Sequence, residues 1–189
     1  RWDISCAPLN PNDLDFGSGG VIAIPADPNM NAAYQNIAIK ADKENYLWVM
    51  DRTSPGKSNA CIPSSCSCSN TDSNIQKFSF SANHGTSGYH ARSTPAFWDD
   101  GTTPFLYFAP TYGQLSQYPL NCAPNGGPIC SATATTSVDP SGTQLGYAAT
   151  PSISSNGTTT GTGIVWAINA VGSNALYAFD AESLAKLYY

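Results

Sequence analysis

An all-β fold is predicted for this 189-residue chain, because short apolar stretches recur between segments rich in Gly, Pro and Asn. No segment carries the apolar stripe of a helix over the roughly 11 residues that such a stripe needs. The clearest of these apolar stretches lie near the end of the chain, where residues 164–168 and 175–179 are predicted to form a hairpin with its turn at 172–174. Two strands alone bury too little apolar surface to be stable in water. The hairpin therefore needs neighbours of the same kind, and strand candidates at 150–154 and 184–189 flank it.

The same three-strand pattern occurs twice earlier in the chain. Leu47, Leu115 and Leu176 occupy equivalent positions in the last strand of each copy, and two copies open on a Thr-Pro pair. The opening strands are predicted at 21–25, 93–98 and 149–154, the middle strands at 37–40, 105–109 and 164–168, and the closing strands at 47–52, 115–120 and 176–181. Repetition of similar multi-strand units is typical of propellers and solenoids.

The units divide the chain into three parts separated by two insertions. We expect units at about 19–52, 75–120 and 142–181, with residues 182–189 beginning a further one. Residues 75–80 alternate apolar and polar side chains, which predicts a half-buried outer strand leading into the second unit. Residues 1–18 are irregular. The insertions, at 53–74 and 121–148, lack apolar periodicity and hold five of the six cysteines.

Composition excludes two classes of partner. Charged residues make up 11% of the chain, against about 25% in an average protein, and only eight residues are Lys or Arg. Because phosphate binding needs grouped cations, nucleic-acid binding is not expected. No apolar run reaches the roughly 18–20 residues of a membrane helix, so no membrane span is expected either. The polar set, rich in Ser, Thr, Asn and Gly, favours a secreted, extracellular or periplasmic protein.

No signal peptide is apparent, because the chain opens on the polar stretch Arg1-Trp2-Asp3. Either such a peptide has been removed from the mature protein, or this chain begins inside a longer polypeptide.

The even number of cysteines favours disulfides and an oxidising compartment. Cys122 and Cys130 enclose a short loop with Asn-Gly and two prolines, which predicts a local disulfide between them. The pairing of the other four cannot be read from the sequence. These four are Cys6, Cys61, Cys66 and Cys68. A metal site formed by Cys61, Cys66 and Cys68 is disfavoured, because zinc sites usually show C-x2-C spacing and no histidine lies nearby in sequence.

Few other side chains suggest a site. Asn156-Gly157-Thr158 is the one sequon, and it reads as an Asn-Gly turn in preference to an occupied glycosylation site. The two histidines, His84 and His90, lie in a predicted loop and are expected to be solvated. If exposed, three tyrosines would form a platform on which a sugar stacks: Tyr89, Tyr112 and Tyr118.

The units end in strands of the type Leu-Tyr-Ala-Phe-Asp-Ala (176–181) and open on Thr-Pro or Gly-rich stretches. They resemble the blades of quinoprotein-like β-propellers, the repeats of pyrroloquinoline-quinone (PQQ) alcohol dehydrogenases and of many non-catalytic relatives. The resemblance covers most of residues 13–189 and is most specific at 43–52 and 163–189.

The resemblance implies that residues 1–189 form part of a β-propeller domain. We expect about three to four antiparallel four-stranded blades around an axis, with the two insertions as disulfide-bearing loops. Because a propeller needs at least four blades, the remaining blades or another chain would cover the apolar edge from Leu184 to Tyr189.

The function expected first is a non-catalytic extracellular or periplasmic scaffold or binding module without a cofactor. The resemblance also implies an alternative, part of an alcohol or sugar dehydrogenase that depends on PQQ and calcium. There Asp13 would be the base, Asp15 a calcium ligand and Lys43 a quinone contact. Asn12 and Glu44-Asn45 depart from that family's motifs, and the chain has no adjacent Cys-Cys pair. A carbohydrate-binding propeller is the second alternative.

Overall fold

The fold is described from a computed structural model, which covers residues 18–43, 45–55, 74–80, 90–122, 127–130, 145–146, 149–170 and 174–188. Within these ranges the protein has eleven strands in three antiparallel sheets, and its one helical turn is a 3-10 helix at Ala32–Tyr34. The all-β prediction is confirmed. No helix in the described ranges has the length and apolar character that crossing a membrane requires.

The first sheet has four strands in chain order: β1 (Val21–Ala23), β2 (Ile37–Ala41), β3 (Tyr46–Asp51) and β4 (Asn74–Ser79). The strand that we expected to lead into the second unit is β4, and it instead completes the first sheet. Its register with β3 sets Phe78 opposite Leu47, so that the Phe78 ring extends the apolar face of this sheet.

The second sheet contains three described strands, β5 (Ala96–Asp99), β6 (Pro104–Phe108) and β7 (Ser116–Pro119). The third sheet contains β8 (Ser152–Ser154), β9 (Ile164–Asn169), β10 (Ala175–Asp180) and β11 (Lys186–Tyr188). Two of the three sheets thus have the four strands expected of a blade.

The opening strands are shorter than the sequence predicts. The strands β5 and β8 begin after the Thr-Pro pairs at 94–95 and 150–151 and do not include them. Proline has no N–H group to donate to a neighbouring strand, so it is disfavoured inside a strand and is found at strand ends, as at Pro104 of β6 and Pro119 of β7. The predicted hairpin of the third unit is present, with β9 and β10 paired from Ile164–Asp180 to Asn169–Ala175.

Two apolar cores join the three sheets in chain order. The first core contains Ile39 and Leu47 of the first sheet together with Leu106 and Phe108 of the second. The second core lies on the other face of the second sheet and contains residues of β5, β6, β9 and β10. Each of the first two sheets therefore packs one face against the sheet that follows it.

Each sheet has a leading face, which points away from the preceding sheet, and an opposite trailing face. Successive residues of each middle strand lie alternately on the two faces. Leading positions are 37, 39 and 41 in the first sheet, 105, 107 and 109 in the second, and 164, 166 and 168 in the third. The trailing face of the third sheet includes Val165, Ala167 and Phe179, all of which are buried.

Aromatic pairs strengthen the contact between the first two sheets. The rings of Phe80 and Phe108 lie 4.9 Å apart at 63°, and those of Phe78 and Tyr118 lie 5.4 Å apart at 76°. Such edge-to-face pairs add about 0.5–1.5 kcal/mol beyond the burial of their area. The first core is therefore fixed in orientation as well as in composition.

We expect Leu106→Ala to lower the free energy of unfolding by about 2–5 kcal/mol, because it opens a cavity between the first two sheets. Leu187→Ala makes the same chemical change at an exposed position and should cost no more than about 0.5 kcal/mol. Urea denaturation of both variants measures the difference. Equal losses would contradict the core assignment.

Candidate functional site

The opening strands of the three sheets begin at one common end of the stack. The N–H of Gly20 donates to Thr94 Oγ1 over 2.9 Å, and the N–H of Thr94 donates to Thr150 Oγ1 over 3.3 Å. We call these three residues the threonine ladder. A Cβ at Gly20 would lie 2.4 Å from Thr94 Oγ1, so only glycine permits this approach. The ladder links the starts of β1, β5 and β8, the three opening strands.

Other polar groups surround the ladder. Lys40 is a buried residue of β2, and its Nζ donates to the carbonyl oxygen of Gly19. Ser93, next to the ladder, donates from Oγ to the carbonyl oxygen of Ala109 over 2.6 Å. Each of these two bonds joins a residue that precedes an opening strand to the middle strand of the same sheet or to the segment after it. Together they hold the threonine ladder in place relative to the first two sheets.

The turn between β2 and β3 forms a second polar group at this end. Asp42 accepts a hydrogen bond from the Tyr46 N–H through Oδ1 (3.0 Å) and from Trp48 Nε1 through Oδ2 (2.5 Å). The carbonyl oxygen of Lys43 is 2.9 Å from His90 Nδ1, and the carbonyl oxygen of His90 accepts from the Thr111 N–H over 3.0 Å. His90 thus connects the turn of the first sheet to the loop after β6.

Two buried oxygens of this region are unsatisfied. Asn45 Oδ1 and Thr111 Oγ1 have no hydrogen-bond partner, although nearly all buried polar atoms in proteins have one. Asn45 has φ 72°, a left-handed conformation that asparagine tolerates better than most residues do. An acceptor and a hydroxyl are therefore left without a protein partner inside this end of the sheets.

The residues that the resemblance assigns to quinone chemistry are not assembled by the described part of the chain. Asp13 and Asp15 lie outside the described residues, as do His84 and Tyr89. Lys43 lies in the β2–β3 turn and is 6% exposed. In the described ranges no group of three or more His, Cys, Asp or Glu side chains could hold a metal ion.

The predicted tyrosine platform is wrong for Tyr118. This side chain is 5% exposed and packs against Phe78, because its position in β7 points into the first core. Burial raises the pKa of its hydroxyl to about 12. Tyr112 is half-buried in the turn after β6, with φ 57°. Sequence alone did not show which face of β7 would be covered.

The predicted disulfide between Cys122 and Cys130 is confirmed, with its Cα atoms 5.2 Å apart. A disulfide that closes a loop of this length stabilises the folded state by about 2–3 kcal/mol. Gln76 of β4 binds the same segment twice, donating from Nε2 to the Ile129 carbonyl and accepting from the Ile129 N–H, both over 2.9 Å. The bridged segment is thereby attached to the first sheet. Cys6, Cys61, Cys66 and Cys68 lie outside the described residues.

Asn156 lies in an exposed turn between β8 and β9, where Gly157 has φ 60°. The predicted turn is confirmed, and glycosylation of Asn156 stays a prediction. Trp98 Nε1 donates to the Gly157 carbonyl over 2.9 Å, and Thr160 Oγ1 donates to the Asp100 carbonyl over 3.0 Å. This turn therefore fastens the third sheet to the second at the end opposite the threonine ladder.

Two buried carboxyl groups meet at that opposite end. The carboxyl group of Asp27, after β1, lies close enough to Asp99 of β5 for the two to interact electrostatically. Asn29 bridges them, because its N–H donates to Asp27 Oδ1 (2.8 Å) and its Nδ2 donates to Asp99 Oδ2 (2.9 Å). Burial, with the charge of Asp99, raises the pKa of Asp27 above its ordinary 3.8. This pair spans the contact between the first two sheets.

We expect Asp27→Asn to stabilise the protein at pH 7 and to have little effect near pH 3. A raised pKa means that the folded protein binds the proton more tightly than the unfolded chain does. Asp27 therefore lowers stability as pH rises from the unfolded pKa through the folded pKa. The asparagine removes this loss of stability and keeps an oxygen that accepts from the Asn29 N–H. The midpoints of urea denaturation of the variant and of the unmodified chain, at pH 7 and at pH 3, measure the effect.

The matched control is Asp51→Asn, because hydrogen bonds from Thr53 lower the pKa of that exposed carboxyl. The charged form of Asp51 therefore stabilises the folded state at pH values above the pKa of the unfolded chain. Asp51→Asn should thus destabilise the protein at pH 7, whereas Asp27→Asn should stabilise it. An Asp27→Asn effect that is equal at both pH values would contradict the interpretation.

We expect Thr94→Val to lower the free energy of unfolding by about 0.5–1.5 kcal/mol, because the nearly isosteric side chain leaves the Gly20 N–H without its acceptor. Thr94→Ser keeps the hydroxyl and serves as the control. Urea denaturation compares the two variants. A serine variant as unstable as the valine variant would show that the hydroxyl is not responsible.

The threonine ladder was not predicted from the sequence, although the repeated Thr-Pro pair was its signal.

Comparison with known proteins adds no assignment, because neither protein-family models nor curated proteins nor solved structures give a match to this chain. The repeated sheets and the polar groups at their common end are therefore the features that bear on function.

Proposed function

We propose that this chain is a non-catalytic scaffold or binding module of the β-propeller type that acts outside the cytoplasm. One observation carries the proposal: three successive sheets pack leading face to trailing face, and their opening strands are hydrogen-bonded through the threonine ladder. In a propeller the blades surround an axis, so the first strands of neighbouring blades lie closest together. The ladder is what such an arrangement would require of β1, β5 and β8.

The surface around the threonine ladder is the binding surface under this proposal. It combines the exposed Thr150 with the half-buried Thr94. The unsatisfied oxygens of Asn45, in the β2–β3 turn, and of Thr111, in the loop after β6, are buried at the same end. Sites for small molecules use a few convergent polar groups to orient their ligand. The polar groups at this surface are the hydroxyls of Thr94 and Thr150, which suit a polar ligand.

Secretion is supported by chemistry and composition. The Cys122–Cys130 disulfide persists in oxidising compartments and is rare in the cytosol. The low charged fraction of 11% points the same way. Further blades, from a longer polypeptide or from another chain, would complete the ring, because three sheets are fewer than a propeller needs.

The test against the oxidoreductase alternative is dye-linked alcohol oxidation after addition of PQQ and calcium. We expect no turnover above a protein-free control. Turnover that Asp13→Ala abolishes and Asp51→Ala preserves would overturn the proposal, because Asp51 is an exposed strand-end carboxylate bonded to Thr53. Fluorescence titration with free PQQ provides a separate reading of binding without catalysis.

A further inference from the structure

An exposed, uncharged turn between β8 and β9 carries the sequence Asn156-Gly157-Thr158. Every residue from 154 to 161 is exposed, and none of them is charged. A Cβ added at Gly157 would meet no atom within 4 Å. The space beside Asn156 is therefore open, as a bulky covalent group on its side chain requires.

Two structural roles could explain an asparagine in a turn, and Asn156 has neither. The first role is a left-handed backbone, which Asn45 and Asn174 adopt with φ 72° and 47°. In this turn the left-handed residue is Gly157, with φ 60°, and the φ of Asn156 is not positive. The backbone therefore does not require asparagine at position 156.

The second role is a side chain that closes the turn by bonding to the backbone two residues later. Three aspartates of this protein have that role, because Asp51, Asp100 and Asp180 each accept through Oδ1 from the N–H two residues later. Asn31 does the same. Within the part of the chain that the structure describes, no group is hydrogen-bonded to the Asn156 carboxamide. This side chain is therefore free to react.

Neighbouring hydroxyl groups hold the turn in place of the asparagine side chain. The Asn156 N–H donates to Thr162 Oγ1 over 3.1 Å, and Ser155 Oγ donates to the Gly157 carbonyl over 2.8 Å. Thr158 is exposed, and its hydroxyl makes no hydrogen bond to a described residue. The two side chains that define an N-x-S/T acceptor are therefore both unused by the turn.

Resting on the proposed location outside the cytoplasm, we propose that Asn156 carries an N-linked glycan in the secreted protein. The donor for such a step is a polyprenyl-diphosphate oligosaccharide. A bond forms between Asn156 Nδ2 and C1 of the first sugar, and the bond from that carbon to the diphosphate oxygen breaks. The polyprenyl diphosphate leaves, and the proton that Nδ2 loses goes to solvent. The turn and the glycan are compatible, because the carboxamide takes no part in the turn.

The position of the turn determines which end of the sheets the glycan covers. Trp98 Nε1 donates to the Gly157 carbonyl and Thr160 Oγ1 donates to the Asp100 carbonyl, so the turn is fixed to the second sheet by two bonds. Both bonds lie at the end opposite the threonine ladder. A glycan on this turn therefore shields that end and leaves the surface around the ladder uncovered.

The experiment uses the chain as its own source cells secrete it. An amidase that removes N-linked glycans, acting in water enriched in heavy oxygen, converts a glycosylated asparagine to an aspartate that carries the heavy isotope. We expect peptide mass spectrometry to find this label at position 156, and to find none in a sample incubated without the amidase. Unmodified Asn156 would overturn the proposal. Unlabelled aspartate would also overturn it, because spontaneous deamidation of the Asn-Gly pair gives that product without a glycan.

Four variants expressed in the same cells test the acceptor. Asn156→Gln and Thr158→Ala should lose the glycan completely, whereas Thr158→Ser should keep it, because serine retains the hydroxyl. Thr159→Ala is the matched control, because it removes an exposed hydroxyl next to the acceptor and should keep the glycan. A glycan that survives Thr158→Ala, or one that the amidase does not release, would overturn the assignment to Asn156.

A stability measurement separates this role of Asn156 from a structural one. In chains from cells that lack the glycan donor, we expect the urea midpoint of Asn156→Gln to equal that of the unmodified sequence, because the carboxamide makes no hydrogen bond to a described residue. A lowered midpoint would count against the proposal, because it would give the asparagine side chain a structural role.

Failure of this proposal and failure of the proposed function give different results. A secreted chain with unmodified Asn156 would remove the glycan and leave the binding-module proposal standing. PQQ-dependent turnover by a chain that is glycosylated at Asn156 would do the reverse.

Discussion

The contact of one leading face with the next trailing face is the interaction on which the rest of the structure depends. A three- or four-stranded sheet made of such short strands has no interior of its own, so its apolar side chains are shielded only by a neighbouring sheet. Full burial of a Leu, Ile or Phe side chain contributes about 1.5–3 kcal/mol. Leu106 and Tyr107 illustrate the result, because these neighbours on β6 are fully buried in two different cores. The second sheet exists as a layer between two others.

Polar groups then fix how the sheets are rotated against each other. Within the second core, Tyr107 donates from its hydroxyl to the Ala181 carbonyl over 2.7 Å, and Gln117 Nε2 donates to the same oxygen over 2.6 Å. Burial raises the pKa of the Tyr107 hydroxyl, which keeps it protonated as a donor. Apolar packing is non-directional, whereas these bonds hold in one arrangement only. The threonine ladder and the turn at Asn156 do the same at the two ends.

Strand positions could be predicted because alternation and turn residues are local. The hairpin of β9 and β10 and the turn at Asn156-Gly157 needed only residues near each other in sequence. The membership of β4 could not be predicted in this way. An insertion separates β4 from β3, and the choice between two sheets depends on which face accommodates Phe78. Tyr118 was misjudged for the same reason, because its exposure depends on a neighbouring sheet.

The polar site escaped prediction for a related reason. Asp27 and Asp99 are far apart in sequence, and neither has a neighbour that suggests a carboxyl pair. The threonine ladder is different, because the Thr-Pro repeat is visible at 94–95 and 150–151. A repeated residue that precedes a strand occupies the same place in each unit. Its side chain is therefore within reach of its own equivalents, and this geometric consequence follows from the repeat itself.

The composition of β9 bears on the open face of the third sheet. The strand β8 reads Ser-Ile-Ser, with its apolar residue on one face only, as in strands that have one wet face. The strand β9 reads Ile-Val-Trp-Ala-Ile-Asn, an apolar run that is typical of strands covered on both faces. Its trailing side, with Val165 and Ala167, is buried as that pattern requires, and its leading side at Ile168 is exposed. Local sequence and global fold agree in natural proteins, so a strand that is apolar on both sides belongs in the middle of a stack. That requirement comes from β9 itself, independently of any resemblance to a known family.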